Sequence, residues 1–494
     1  MSTGTIVILG GGTAGWIVAA MLARFVPRTT RIRLVESDAI GTVGVGEATI
    51  PQIRFLTQGL GLDEDQLLAA TQGTFKLGIE FVDWWRPGYR YMHAFGALGR
   101  ALGVVPFHQL WLRGRAIGAA ASLDAYVPTA VAACATRFER MPMLPYAYHF
   151  DATLLAGFLR RGAEAAGVER IEGRVVAVDR DTGGDIAALR LDGDRAVAGD
   201  LFIDCSGFRA LLLGEALGVG YDDWSHWLPC DRAMAIACEP AGPPIPYTRA
   251  TARPVGWQWR IPLQHRIGNG LVYAAADLSD DEAAARLLGD LDGVPIGDPR
   301  PLRFVTGKRR RFWERNVIGM GLASGFMEPL ESTSIHMVQS AVARLLDLFP
   351  GDRDDAAARD AYNRLTDAEY DGIRDFLILH YHANERSGAF WRRCREMAVP
   401  ETLTEKIRQF RAGGRVVREG EGLFTEPGWV QVMTGQGIVP GHVSPLSQAL
   451  SPGKLAEFLD NIRTGIADQV GRMPTHADFI ARHCRAAVQF KENV

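Results

Sequence analysis

Cysteine is scarce in this chain of 494 residues, which has only six. Six cysteines are too few for a disulfide framework in a chain of this length, and because none of them forms a Cys-x-x-Cys pair, a zinc ribbon or a thioredoxin-type redox centre is not expected. Long hydrophobic runs are lacking as well, since no stretch approaches the roughly 18 apolar residues of a membrane span. No basic leader or cleavable apolar stretch precedes the first strand. The sequence therefore predicts a soluble, cytoplasmic protein.

The chain also lacks an excess of either charge, because 54 basic residues stand against 57 acidic ones and the net charge is −3. This balance excludes a global electrostatic footprint for nucleic acid or for an anionic membrane. Apolar residues make up 47% and charged residues 22%, which is typical of a globular protein. Only five of the 54 basic residues are lysines. A lysine in an apolar segment of such a chain indicates a chemical reason, because arginine cannot release a proton.

The chain does contain a Gly-x-Gly-x-x-Gly fingerprint within a βαβ unit. The hydrophobic pattern predicts a strand over 5–9, a helix over 16–25 and a second strand over 31–35 that ends at Glu36. The glycines allow the backbone to approach a pyrophosphate, the helix N-terminus attracts it, and an acid after the second strand can bind a ribose. The pattern favours a dinucleotide site over a chance glycine turn. The residues predicted to form this site are Gly10, Gly12, Thr13, Ala14, Gly15 and Glu36.

The rest of the chain divides into a mixed part and a helical part. Further strands are predicted at 174–178, 201–204 and 317–321, and helices at 335–348, 353–383 and 455–464. We therefore predict two modules, an α/β module over residues 1–345 and a mainly helical module over 346–494 packed on it.

Residues 75–81 alternate between apolar and polar side chains, which predicts one half-buried strand. In such a strand Lys76, Gly78 and Glu80 share one face. From this pattern alone, an ion pair between Lys76 and Glu80 is the simpler interpretation.

Two tryptophans mark another predicted strand. Trp257 and Trp259 stand two residues apart and therefore point to one face, where they could simply fill a sheet surface. Together with Ile261 and Pro262 they form Trp-x-Trp-x-Ile-Pro, the signature of flavin-dependent halogenases of the tryptophan halogenase type. The chain resembles this family from residue 5 to about 350, and more weakly to about 445. Further stretches that resemble the family lie at 44–51, 75–76, 93–96 and 329–333.

The resemblance implies an α/β, glutathione-reductase-type FAD-binding fold, with a Rossmann-like βαβ unit, an additional sheet and a mainly helical C-terminal part. Segment 200–207 resembles the second FAD motif of such flavoproteins, and segment 318–323 occupies the place of the third, where Leu322 replaces the usual aspartate. A single dinucleotide fingerprint favours FAD that is reduced elsewhere. The implied partner is a separate NAD(P)H-dependent flavin reductase that supplies reduced FAD in trans, if only by diffusion. Further FAD contacts are implied at Ala48, Val175, Leu322 and Ile335.

The resemblance also assigns the catalytic residues. In this family reduced FAD, dioxygen and halide give hypohalous acid, which passes to a lysine beside the aromatic substrate. That lysine is implied to be Lys76, as a hydrogen-bond donor to the acid or as a haloamine, with Ser332 in support. Glu331 is implied to stabilise the cationic ring adduct and to accept its proton. The alternative for Glu331 is an acid at a helix start, favoured by the helix dipole.

The halide site is implied to consist of the backbone amides of Thr333 and Ser334. A helix that begins near Ser332 presents free amides to an anion. The family commonly has glycine where this chain has Ser334, and the preference between chloride and bromide stays open.

The substrate site is implied to include His93 and Phe95, which match positions that hold an indole ring, although Phe95 could be an ordinary core residue. Trp429 and Val430 stand where halogenases of free tryptophan carry a Tyr-Tyr pair for the carboxylate. Since valine offers no side-chain hydrogen bond, the expected substrate is a small aromatic or indole compound rather than free tryptophan.

His380 and His382 do not predict a metal site, because no acidic or cysteine partner stands at ligand spacing. The sequence is interpreted as an FAD-dependent halogenase that uses chloride or bromide. The alternatives are a flavin monooxygenase that hydroxylates or epoxidises an aromatic substrate, and a flavin-binding scaffold without turnover. Nucleic acid and membranes are not expected partners, and the oligomeric state, a homodimer included, is left open.

Overall fold

The structure is a computed structural model that describes residues 4–40, 46–350, 355–417, 420 and 422–487. Its strands are β1 (Thr5–Leu9), β2 (Arg31–Glu36), β3 (Gly46–Ala48), β4 (Thr74–Lys76), β5 (Gly78–Val82), β6 (Arg90–Ala94), β7 (Ala147–Asp151), β8 (Glu169–Glu172), β9 (Val175–Arg180), β10 (Ile186–Leu191), β11 (Ala196–Ala198), β12 (Leu201–Asp204), β13 (Tyr221–Asp223), β14 (Arg232–Cys238), β15 (Thr248–Ala252), β16 (Trp257–Pro262), β17 (Ile267–Tyr273), β18 (Pro295–Arg303), β19 (Gly307–Arg309), β20 (Trp313–Glu314), β21 (Val317–Gly319) and β22 (Gly325–Phe326). Its α-helices are α1 (Thr13–Phe25), α2 (Ile53–Gly59), α3 (Glu64–Ala70), α4 (Phe107–Ala116), α5 (Pro128–Cys134), α6 (Ala152–Ala165), α7 (Asp280–Gly289), α8 (Ser334–Asp347), α9 (Ala356–His382), α10 (Ala389–Glu396), α11 (Glu401–Gly413), α12 (Glu426–Gly435), α13 (Pro452–Gly471) and α14 (His476–His483).

The predicted βαβ unit is present and lies at the centre of a six-stranded sheet. Strand β1 pairs in parallel with β2 on one side and with β12 on the other, in the sheet order β20-β21-β12-β1-β2-β8. Helix α1 begins at Thr13, three residues before the predicted start. The carboxyl ends of β1 and β2 therefore open onto the N-terminus of α1, where a parallel sheet binds its ligand.

The prediction of one continuous strand over 75–81 is wrong. The chain leaves the small sheet β3-β7-β4 after Lys76 and enters the seven-stranded sheet β18-β14-β17-β16-β15-β5-β6 at Gly78. Between them, the Leu77 amide donates to Pro246 and the Leu77 carbonyl accepts from Phe95. The alternation continues across this junction because both halves are extended. Lys76 and Glu80 therefore belong to different sheets, and Glu80 pairs instead with Arg249.

The strands end before residue 345, and after it the regular elements of the described residues are helices. The helices predicted at 335–348, 353–383 and 455–464 correspond to α8, α9 and α13. Arg353, like Gly44 and Val45 of the stretch that resembles the family, lies outside the described residues. A single cluster of buried apolar side chains includes Trp16 and Trp391, from either side of residue 345. The boundary at residue 345 stays a prediction. Among the described residues, no helix has the length and apolar character needed to cross a bilayer.

Candidate active site

The glycine turn between β1 and α1 is shaped by close backbone contacts. Gly10 has a φ of +114°, a conformation that favours glycine. A Cβ atom at Gly11 would lie 1.4 Å from Oε2 of Glu36, and one at Gly15 would lie 1.8 Å from the Gly10 carbonyl oxygen. No side chain caps α1, so its first amides remain available to an anion. The turn therefore fits the pyrophosphate and ribose of a dinucleotide.

A cavity of about 1050 Å³ runs from this turn towards α8. It is at the upper end of the ~300–1,000 Å³ typical of ligand sites. At its far end the cavity is lined by Trp259, Ser332, Thr333 and Ser334. Gly15 packs behind the turn instead of lining the cavity. The other residues predicted to contact the cofactor all line it, namely Gly10, Gly12, Thr13, Ala14, Glu36, Ala48, Val175, Leu322 and Ile335.

One further acid lines this cavity and was missed by the sequence analysis. The side chain of Glu47, which projects from β3, makes no hydrogen bond or ion pair with the part of the chain that the structure describes. Burial raises the pKa of Glu47 to about 7. The only signal for it in the sequence was its place in the stretch 44–51.

Lys76 is fully buried at the end of β4, where the two sheets diverge. Its Nζ donates to the carbonyl oxygen of Thr49 at 2.9 Å and to Oγ of Ser332 at 2.7 Å. The same Nζ lies 5.5 Å from the centre of the Phe95 ring. Burial lowers the pKa of Lys76 to about 7, although the Glu331 carboxylate acts in the opposite direction. The amine is therefore held next to the cavity by its contact with Ser332.

Ser332 joins Lys76 to the cavity through a strained turn. A short 3₁₀ turn, Pro329–Glu331, ends at Ser332, whose backbone is left-handed with φ 59° and ψ 39°. Such a conformation costs a residue with a side chain roughly 1 kcal/mol or more. A helix does begin near Ser332, as expected, since α8 begins at Ser334 with Thr333 as its N-cap. No side chain caps α8, so its first amides are free for an anion.

Glu331 is held between two imidazoles. Its Oε2 lies 2.8 Å from Nδ1 of His93, and its Oε1 lies 3.0 Å from Nε2 of His380. Burial raises the pKa of Glu331, but the charges of the two histidines and their contacts outweigh it and lower the pKa to about 2. The side chain is therefore a carboxylate at neutral pH, although it is only 1% exposed.

The comparisons with known proteins agree with this geometry. The family model for tryptophan halogenases matches residues 5–452. The chain belongs to the tryptophan halogenase family. This halogenase is 47% identical to the solved flavin-dependent halogenase Xcc4156 from Xanthomonas campestris, with a TM-score of 0.97 over 99% of both chains. It is 45% identical to BrvH from Brevundimonas sp. BAL3, with a TM-score of 0.93 over 97% of this chain and 98% of that one. It is 33% identical to tryptophan 6-halogenase SttH from Streptomyces toxytricini, over 96% of this chain and 97% of that protein.

These matches confirm the family, the α/β fold class and the enzyme class that the sequence predicted. The halogenase is a flavin-dependent enzyme. The alternative of a scaffold without turnover has no support among these relatives.

Strand β6, which carries the predicted substrate residue His93, packs against α12. Gln431 of α12 accepts from the Ala94 amide at 3.0 Å and donates to the Ala94 carbonyl at 3.1 Å, which fixes the helix beside the strand. A Cβ atom at Gly428 would lie 3.0 Å from Nε2 of His93, so the helix approaches the imidazole closely. Trp429 packs edge-on against Phe376 at 4.8 Å between ring centres.

Val430 lies fully buried in the same helix. Its side chain carries no polar group, and the expectation that the substrate is not free tryptophan stays a prediction.

The sequence analysis missed His380, which it weighed only as a metal ligand. The structure instead gives it a place beside Glu331. Glu328 was missed as well, although it stands in the same turn as Glu331. Nothing in the pattern of α9 indicates these contacts, because they depend on how the end of the helix packs against the turn.

Proposed function

We propose that this halogenase replaces a C–H of an electron-rich aromatic compound, most simply an indole, with chlorine or bromine. The observation that carries the proposal is the buried Lys76, whose Nζ bonds to Ser332 at the end of the large cavity. Burying an amine without a carboxylate in hydrogen-bonding contact is costly, so its retention here favours a chemical role.

Lys76 is assigned to present the halogen to the ring. Reduced FAD, when bound, supplies hypohalous acid from dioxygen and halide. An amine with a pKa near 7 exists in both forms at neutral pH. The ammonium form can donate a hydrogen bond to hypohalous acid, and the neutral form can carry the halogen as a haloamine. Both routes remain within the proposal.

Glu331 is assigned to the cationic ring adduct. When the C–X bond forms, the X–O bond of hypohalous acid or the X–N bond of the haloamine breaks. The ring then becomes a cation that must lose the proton of its C–H bond. A carboxylate with its pKa near 2 remains ionised and stabilises that cation. It can also accept the proton, because the adduct is a far stronger acid than a carboxylic acid.

The FAD and halide sites are assigned from the residues that line the cavity. The residues predicted for FAD line it from the glycine turn onward, and we assign reduced FAD, supplied by a separate flavin reductase, to that part. The first amides of α8, at Thr333 and Ser334, are assigned to the halide, since an uncapped helix N-terminus attracts an anion.

The substrate is assigned to the space beside His93 and Phe95, which suits a flat ring. Similarity does not favour tryptophan as the substrate. SttH, one of the relatives named for tryptophan, is 33% identical, whereas two solved flavin-dependent halogenases whose names give no substrate are 47% and 45% identical. The buried Val430 also removes a polar partner for a carboxylate.

The test is an assay of the purified protein with FAD, NADH, a flavin reductase, and chloride or bromide. Indole, tryptophan and an indole-containing peptide are offered in parallel, and products are read by the halogen isotope pattern in mass spectrometry. We expect halogenated indole only when reductase and halide are both present. Rapid oxidation of NADH by the protein without reductase, or hydroxylated product in place of halogenated product, would instead favour the monooxygenase.

A further inference from the structure

The two tryptophans of the signature have different surroundings. Trp259 lines the large cavity, opposite Gly270, where a Cβ atom would lie 2.0 Å from the indole. Trp257 does not line the cavity. It is 1% exposed, and its indole Nε1 donates to Oε2 of Glu328 at 2.7 Å. The role of Trp257 therefore depends on its hydrogen bond to Glu328.

Glu328 is a fully buried acid at which two donors converge. The hydroxyl of Tyr381 donates to the same Oε2 at 2.6 Å. Burial raises the pKa of Glu328 to about 7, against the two hydrogen bonds, which lower it. Among the described residues, no basic side chain forms an ion pair with Glu328. A buried acid without an ion pair is costly, and its presence here indicates that its position serves another group.

The group whose position depends on Glu328 lies in the same short turn, Pro329–Glu331, for which Glu328 is the N-cap. Glu331 follows three residues later, and the strained Ser332 comes next. On the other side, His380 and Tyr381 are consecutive at the end of α9, and they contact Glu331 and Glu328 respectively. One end of one helix thus holds both acids of the turn.

Aromatic packing makes this end of α9 rigid. Trp84 has ring-centre distances of 6.2 Å to Trp257, 5.9 Å to His380 and 5.5 Å to Tyr381. Trp391 stacks on Tyr381 at 5.8 Å. A backbone conformation as unfavourable as that of Ser332 persists only when its surroundings hold it in place. The contacts of Glu328 supply such a hold on the N-terminal side of the turn.

We propose that Trp257 and Tyr381 are positioning residues, which act through Glu328 to hold Glu331 and Ser332 in register with Lys76. The inference rests on the proposed function. It gives the first tryptophan of the signature a role that does not involve the cavity. The competing interpretation is an ordinary buried hydrogen-bond network that contributes to folding alone.

The test uses Trp257→Phe and Tyr381→Phe, each of which removes one donor to Glu328 and keeps an aromatic side chain. The matched control is Trp111→Phe, since Trp111 is also buried and its Nε1 also donates to an oxygen, the Ala121 carbonyl, at 3.0 Å. For each protein we measure FAD affinity, kcat and KM for the aromatic substrate, and halogenated product per reduced FAD oxidised.

We expect Trp257→Phe and Tyr381→Phe to lower kcat and the product yield per flavin by about tenfold to a hundredfold, because small displacements of reacting groups have effects of that size. KM and FAD affinity should stay within about twofold of the wild type, because Trp257 and Tyr381 lie outside the proposed substrate and FAD sites. Trp111→Phe should retain the yield.

Unchanged kcat and yield in both variants would overturn the inference, as would an equal loss in Trp111→Phe. If the wild type and Trp111→Phe give no halogenated product either, the proposed function itself fails. Should Trp257→Phe fold poorly, Tyr381→Phe alone decides the outcome, since it removes a single hydroxyl.

Discussion

Nε2 of His380 lies 3.0 Å from Oε1 of Glu331, and Nδ1 of the same imidazole lies 2.8 Å from the carbonyl oxygen of Phe376. A carbonyl oxygen only accepts, so Nδ1 carries a proton. The other nitrogen then faces the carboxylate of Glu331, so the backbone of α9 orients the imidazole towards this acid. The proximity of His380 is among the causes that lower the pKa of Glu331.

Removal of His380 should therefore make activity sensitive to acid. In His380→Asn, burial acts on Glu331 with less opposition, so its pKa rises from about 2. Because the carboxylate form is required, kcat should fall as the pH drops through the new, higher pKa. The measurement is the pH profile of kcat from pH 5 to pH 9. His382→Asn, two residues further on and without a contact to Glu331, is the control and should keep the wild-type profile.

Replacement of Lys76 should abolish halogenation without loss of the cofactor. We expect Lys76→Ala to reduce halogenated product by at least about a hundredfold, the usual effect of losing a group that acts on the reacting atoms. Lys76→Arg should fail as well, since a guanidinium is bulkier, stays charged and cannot act as the same haloamine. FAD binding and reoxidation of reduced FAD should be retained. Appreciable product from either variant would remove Lys76 from the mechanism.

The buried amine of Lys76 should also make the stability of the protein depend on pH. Its pKa falls from 10.5 to about 7 on folding, so between these values the unfolded chain binds a proton that the folded chain does not. Wild-type stability should then rise with pH, by at most about 1.4 kcal/mol per pH unit and about 5 kcal/mol in total. Below pH 7 both states are protonated and the full cost of burial is present.

The check is urea unfolding of the wild type and Lys76→Met at pH 7, 8 and 9. The free energy of unfolding of Lys76→Met minus that of the wild type should shrink as the pH rises, because methionine does not titrate. A difference that stays constant over this range would mean that Lys76 keeps its proton in the fold.

Substrate choice should favour the free ring over the amino acid. His93 and Phe95 can stack any indole, but tryptophan brings an ammonium and a carboxylate that cost several kcal/mol to bury unpaired. We expect indole to outcompete equimolar tryptophan, with halogen at C3, the most reactive carbon of indole. The measurement is product analysis of the mixture. A clear preference for tryptophan, halogenated on its benzo ring, would mean that residues other than Trp429 and Val430 bind its charged groups.

The sequence predicted the features that depend on local patterns. The βαβ unit followed from glycine spacing and apolar runs, and α8 and α13 from helical periodicity, because these signals lie within a few turns of the chain. Lys76 was identified as a candidate by its rarity and by the resemblance to the family, and the structure buries it at the end of the cavity.

Other features could not be predicted in this way. The contacts of Glu331 with His380 and of Glu328 with Trp257 join segments far apart in the chain, and their existence depends on tertiary packing. The junction at Leu77 was missed because extended backbone on either side continues the same alternation. The left-handed Ser332 was missed because a serine gives no signal of the kind that glycine gives.

The junction at Leu77 places Lys76, the proposed halogen carrier, and His93, a proposed substrate residue, on two different sheets. Lys76 ends a strand of the small sheet, whereas His93 lies on a strand of the seven-stranded sheet, and a single residue along the chain separates the two sheets. Substitutions along β6 or α12 can therefore turn the substrate without moving the ammonium group. The carbon that receives the halogen can thus diverge in evolution while the chemistry that delivers the halogen stays unchanged.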